Sequence, residues 1–86
     1  MNKKRIEVLN RELEKNVEVQ TMLHIELALQ KKLDPEEMSA TEILKRNDSG
    51  QPMSSQKITR KRYIEIKEEE LEAVDLRIET ISELLQ

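Results

Sequence analysis

The residues that could carry acid–base or metal chemistry are few in this sequence, and they are poorly placed for it. His24 is the only histidine, and the chain has no cysteine to act as a nucleophile or as a metal ligand. Helical di-metal sites place a Glu three residues before the histidine, and that position is Thr21 here. We therefore expect His24 to be structural or solvent-exposed, and we expect no metal site.

The carboxylates over residues 68–72 and the adjacent serines Ser54 and Ser55 do not form a catalytic pattern either. Consecutive residues point in different directions around a helix, so these acids cannot converge on one ion or one scissile bond. The serines lack the Gly-x-Ser-x-Gly turn of a nucleophile elbow, and Gly50 is the only glycine, which excludes a phosphate loop. We predict a non-enzymatic protein with no cofactor and no small-molecule substrate.

A basic cluster, here called the basic pole, is the segment with the sharpest functional alternatives. It consists of Lys57, Arg60, Lys61 and Arg62, followed by Tyr63. Such charges can neutralise nucleic-acid phosphates or steer binding to an acidic protein surface, or they can merely keep the chain soluble. Basic residues before a heptad seam also occur in basic-zipper proteins, but no Asn lies among these residues to read a base.

Two long helices must position these side chains. Residues 3–32 contain no Gly or Pro, and residues 55–85 can begin at a Ser54 or Ser55 cap. In both segments a seam recurs at alternating three- and four-residue steps, which predicts a helix that packs along one stripe. The first seam is Ile6, Leu9, Leu13, Asn16, Gln20, Leu23, Leu27 and Gln30, and the second is Ile64, Lys67, Leu71, Val74, Ile78, Ile81 and Leu85.

The connector between these helices contains its own helix signals. Asp34-Pro35-Glu36-Glu37 is typical of a helix start, and Ser39 with Glu42 fits a capping box. We therefore predict a short helix over residues 35–46. Residues 47–54 include the only glycine and one of the two prolines, so they are predicted to form a loop.

These elements predict an all-α fold, an antiparallel helical hairpin resembling a coiled coil. Net charge is zero over residues 1–30, +3 over 31–62 and −6 over 63–86, and antiparallel pairing brings the bases of the first helix to the acids of the second. The favoured alignment sets Leu13 beside Val74 and Gln20 beside Lys67. The latter pair would form one polar layer in the seam.

Apolar residues outside the seams indicate a partner. We call these residues the surplus stripe: Val19, Met22, Leu29, Leu33, Ile66, Ala73, Leu76 and Leu84. Two helices cannot cover two apolar stripes each, so the sequence predicts self-association. The simplest form is a homodimer that builds a four-helix bundle.

Composition sets the remaining limits. The 86 residues are 36% apolar and 38% charged, which suits one helical domain over residues 1–86 rather than a globular core with a substrate pocket. No stretch approaches the 18 apolar residues of a membrane span, and the charged start at Met1-Asn2-Lys3-Lys4-Arg5 does not resemble an export signal. We expect a soluble cytoplasmic protein without membrane contact.

The sequence therefore favours a protein–protein interaction module, which would be a small adaptor, chaperone-like or inhibitory regulatory protein. Two alternatives stay open. One is a DNA-binding regulator that uses residues 57–62, and the other is an inhibitor whose acidic face between Glu68 and Glu79 mimics nucleic acid.

Overall fold

The computed structural model describes residues 2–86, in which two long helices are joined through a β-hairpin. In chain order the elements are helix α1 (Lys3–Gln30), strand β1 (Met38–Arg46), strand β2 (Pro52–Thr59) and helix α2 (Arg60–Leu85). The Cα atoms span 49 × 36 × 14 Å, so the molecule is a flat layer little thicker than one helix. The apolar side chains buried in this layer are Leu23, Leu27, Ile58 and Val74.

The two helices lie antiparallel, and each begins at a capping side chain. The side-chain oxygen of Asn2 accepts a hydrogen bond from the Arg5 amide at 2.7 Å, and that of Thr59 accepts one from the Arg62 amide at 3.2 Å. The predicted seams are the stripes that the helices bury against each other. Leu23, Leu27 and Val74 are buried, and the other seam residues are half-buried except for Ile6, which is exposed.

The connector contradicts the predicted all-α fold. Strands β1 and β2 form a two-stranded antiparallel sheet, so the chain is α+β, and the short helix predicted over residues 35–46 is wrong. The prediction of a helical hairpin that doubles into a four-helix bundle is wrong for the same reason. Although Ser39 and Glu42 fit a capping box, the β-branched Thr41 and Ile43 favour extended backbone, and β2 supplies the hydrogen bonds that a helix would otherwise make.

Residues 47–51 form the turn of this hairpin. The Asn47 side-chain oxygen accepts hydrogen bonds from the amides of Ser49, at 3.0 Å, and Gln51, at 2.9 Å. Gly50 has a φ of +82°, a left-handed conformation that costs glycine little because it has no Cβ. The turn formers that predicted a loop therefore connect two paired strands.

The hairpin also changes how the helices are aligned. Because β2 takes up residues 52–59, Ser54 and Ser55 are strand residues, and α2 begins five residues later than predicted. Gln20 donates a hydrogen bond to Asp75 at 2.7 Å instead of facing Lys67. Lys67 pairs with Glu70 at 3.3 Å, so the predicted polar layer does not form.

Arg60 joins the end of α1, the connector and the start of α2. Its side chain is only 6% exposed. It donates hydrogen bonds to the Gln30 side chain at 2.8 Å, the Asp34 carbonyl at 2.6 Å and the Glu37 carboxylate at 2.7 Å. The backbone amides of Arg60 and Lys61 donate to the connector carbonyls of Glu37 and Pro35, so these otherwise free helix amides are satisfied.

Candidate functional site

The fold separates the residues of the basic pole. Arg60 is buried with partners inside the chain, so its charge is not available at the surface. Arg62 lies 3.0 Å from Glu42 on β1 and 3.4 Å from Glu65 on its own helix. Lys57 and Lys61 are exposed, and neither forms an ion pair within residues 2–86. The surface of the basic pole therefore presents two lysines that have no ion-pair partner within residues 2–86, rather than four available basic side chains.

The pair of Arg62 and Glu42 attaches the hairpin to α2. The hydrogen bond from Arg62 lowers the pKa of the Glu42 carboxyl, and the Gln56 side chain lowers it further. The same hydrogen bond, together with the charge of Glu42, raises the pKa of Arg62. Both groups remain charged over the whole neutral range, so this contact holds β1 beside α2.

Tyr63 connects α2 with α1. Its hydroxyl donates a hydrogen bond to the Glu26 carboxylate at 2.8 Å. Burial and this carboxylate raise the pKa of the phenol to about 12, so Tyr63 stays protonated at neutral pH. The Lys67 ammonium lies 5.4 Å from the ring centroid, within the range of a cation–π contact.

Two grooves meet at Tyr63 and Lys67. The first, of about 400 Å³, lies between the helices and is lined on α1 by Val19 and Met22. The second, of about 450 Å³, lies between α2 and the hairpin and is lined by Ile66 and by Ile43 of β1. Because Tyr63 and Lys67 line both, the two grooves are neighbours, and together they are lined by residues of α1, α2 and the hairpin. We call them together the Tyr63 groove, defined by Val19, Met22, Ile43, Tyr63, Ile66 and Lys67.

Several rim charges of the Tyr63 groove have partners within the chain, whereas Arg46 and Glu69 form no ion pair within residues 2–86. Glu42 pairs with Arg62, Lys67 with Glu70, and Glu26 accepts the Tyr63 hydroxyl. Three of its apolar side chains, in contrast, are exposed to solvent. Met22 is 63% exposed, and Val19 and Ile43 are exposed as well. The surface is therefore suited to apolar side chains of another molecule rather than to an ion.

The fold divides the remaining surplus stripe. Leu76 lines a separate groove near the free helix ends together with Leu9 and Ile81. Leu29 and Leu33 are exposed near the connector and line none of the grooves described here, and Ala73 and Leu84 are also exposed. Sequence reasoning thus found Val19, Met22 and Ile66 of the Tyr63 groove. It missed Ile43 and Ile58, whose β-branched side chains within short polar segments were the available signal.

The acidic face lies on the other side of the helix pair. Glu68, Glu72 and Asp75 line a groove of about 570 Å³ with His24. Lys31 lies 3.3 Å from Glu68, and Gln20 donates to Asp75, so two of these acids already have partners. Across residues 2–86 no group of three or more His, Asp or Glu side chains is arranged to hold a metal ion.

No protein-family model, curated protein or solved structure matches this chain. Neither of its two helices combines the length and the apolar character that crossing a membrane requires.

Proposed function

We propose that this protein is a non-enzymatic protein-interaction module that binds an apolar segment of a partner protein in the Tyr63 groove. The observation that carries the proposal is that two neighbouring grooves share Tyr63 and Lys67. A partner segment could contact α1, α2 and β1 at once. Helical segments that present apolar side chains on one face bind grooves of this kind.

The charge pattern supports an apolar partner over the alternatives. With Arg60 buried and Arg62 paired, residues 57–62 offer nucleic acid only the unpaired charges of Lys57 and Lys61. Two phosphate contacts from this segment imply weak binding and a log–log salt slope of only about −2. The acidic face is a weaker nucleic-acid mimic than its composition suggests, because Lys31 and Gln20 occupy two of its acids.

The proposal can be tested by selecting peptides from a random display library on the intact protein. Selected peptides should carry bulky apolar residues, and Met22→Glu or Ile66→Glu should weaken their binding about tenfold or more, because a carboxylate would be buried against apolar side chains. Leu29→Glu is the matched control. It replaces a similarly exposed apolar residue of α1, 54% exposed against 63% for Met22, that does not line the groove.

Failure of the library to yield apolar binders would contradict the proposal. So would peptides whose binding responds to Leu29→Glu but not to Met22→Glu or Ile66→Glu. Circular dichroism of each variant shows whether the helices are retained, so that loss of binding is not confused with loss of fold.

A further inference from the structure

The β-hairpin leaves both of its strands at a sheet edge. The sheet contains only β1 and β2, so each strand has an outer row of backbone amides and carbonyls without a neighbouring strand. A two-stranded sheet is marginally stable in water, and an open edge is a template for another strand. The two edges differ, and only the edge of β2 is suited to pairing with a strand of another molecule.

The edge of β1 is protected. Ser39 and Leu44 have no Cα partner in β2, so each is an extra residue that bulges the strand. β1 also carries the charged residues Glu42, Lys45 and Arg46, and it supplies most of the hairpin residues that line the Tyr63 groove against α2. Bulges and charges are the devices by which proteins block edge pairing.

The edge of β2 has little such protection. Its single extra residue is Met53, at the turn end, and the register is regular from Ser55 to Ile58. Residues 52–57 are all exposed, and Lys57 is the only charged residue of the strand. β2 contributes only Ile58 to the groove beside α2. A regular strand with small polar side chains and one charge can accept a neighbour without steric or electrostatic conflict.

We propose that β2 pairs antiparallel with β2 of a second copy, so that two hairpins form one four-stranded sheet. The strand is compatible with itself. If the two-fold axis passes through Ser55, Ser55 faces Ser55 of the second copy, Lys57 lies opposite Met53, and no like charges face each other. Every copy has the same open edge, and pairing turns two marginal sheets into one with only the protected β1 edges exposed. This dimer does not depend on peptide binding, because it leaves the Tyr63 groove open.

Because the chain has no cysteine, an introduced cysteine is the only thiol that can form a crosslink. Full-length Ser55→Cys should form a disulfide-linked dimer under mild oxidation about tenfold faster than Ser39→Cys, because only the former brings two thiols within bonding distance. Ser39 is the matched control, an exposed serine on the opposite strand. Equal rates for the two variants would overturn the proposal, as would a dimer that Ser55→Cys fails to crosslink.

Sedimentation equilibrium of the unmodified chain provides a second measurement. It should show a monomer–dimer equilibrium, and Ser55→Lys should raise its Kd about tenfold by adding like charge at the edge, whereas Ser39→Lys should not. A chain that remains monomeric at the highest soluble concentration would overturn the proposal. If circular dichroism shows that Ser55→Lys unfolds the hairpin, the nearly isosteric cysteine variants decide the matter.

Discussion

The two ends of the molecule are built in different ways. At the hairpin end, where the connector joins the helices, Leu27, Ile58 and Arg60 are buried, and Arg60 alone links three segments of the chain. At the open end, which comprises the described residues 2–22 and 75–86, no side chain is buried. Helical periodicity alone therefore buries only part of each seam: Leu23 and Val74 are buried midway along the helices, but nothing is buried beyond them toward the open end. At the hairpin end a third element adds cover.

This difference predicts that resistance to unfolding is concentrated at the hairpin end. The open end should fray in native-state hydrogen exchange, because its amides are protected by local helix rather than by tertiary packing. Substitutions that weaken one end at a time test this difference in stability.

The largest effect is expected from Arg60→Leu. It leaves the part-buried Gln30 side chain and Asp34 carbonyl without their donor, and at about 1–3 kcal/mol for each unpaired group the total cost should be about 3 kcal/mol or more. The Glu37 carboxylate is 61% exposed, so water can replace its partner. Arg77→Leu at the open end is the control, and its expected cost is under about 0.5 kcal/mol, typical of surface positions. Urea denaturation followed by circular dichroism measures both. Equal effects would show that the two ends are equally stable.

The next largest effect is a contrast between two seam leucines. Leu27→Ala should lower the free energy of unfolding by about 3 kcal/mol, because Leu27 is 5% exposed and truncation leaves a cavity. Leu13→Ala should cost about 1 kcal/mol, because Leu13 is half-buried and water can fill the gap. The same denaturation experiment compares them. A larger effect at Leu13 would place the core at the open end instead.

A smaller effect is expected from Tyr63→Phe, which removes the hydrogen bond to Glu26 and should cost about 1 kcal/mol. The pKa of Tyr63 is raised to about 12 from the ordinary 10.0, so the folded state favours the protonated phenol. Its contribution is complete below pH 10 and is lost as the pH rises toward 12. Tyr63 is the only tyrosine, so tyrosinate absorbance should report this midpoint directly. A midpoint near 10 would contradict the contact.

The smallest effect is expected from the half-buried pair of Glu42 and Arg62. The pKa of Glu42 is lowered from 4.5, so its contribution is present above that pH and is lost as the pH falls through the lower folded value. Glu42→Gln should therefore lower Tm slightly at neutral pH and reduce its decline on acidification, so that the two proteins converge once Glu42 is protonated. Thermal unfolding of both proteins across the acidic range measures this, and parallel curves would show that the contact contributes nothing.

The candidate site could be predicted only in part. The apolar periodicity of the helices found Val19, Met22 and Ile66, because side-chain direction along a helix follows from spacing alone. It also assigned Leu29 and Leu33 to the same stripe, although the fold leaves them outside the Tyr63 groove. The basic pole was defined by adjacency in sequence, and burial of Arg60 and pairing of Arg62 come from residues more than 15 positions away.

Local patterns in the sequence are sufficient to predict the two helices, their antiparallel order and the stripes along which they meet. Those features follow from local spacing, from charge and from a connector that lets the chain reverse. The strands, the alignment of the helices and the groove depend on contacts between residues that are far apart in the sequence. Residues 38–46 carry both helix and strand signals, and only pairing with residues 52–59 selects the strand. Once the hairpin forms, Arg60 is held against Gln30 and Glu37, and this contact sets which residues of the two helices face each other.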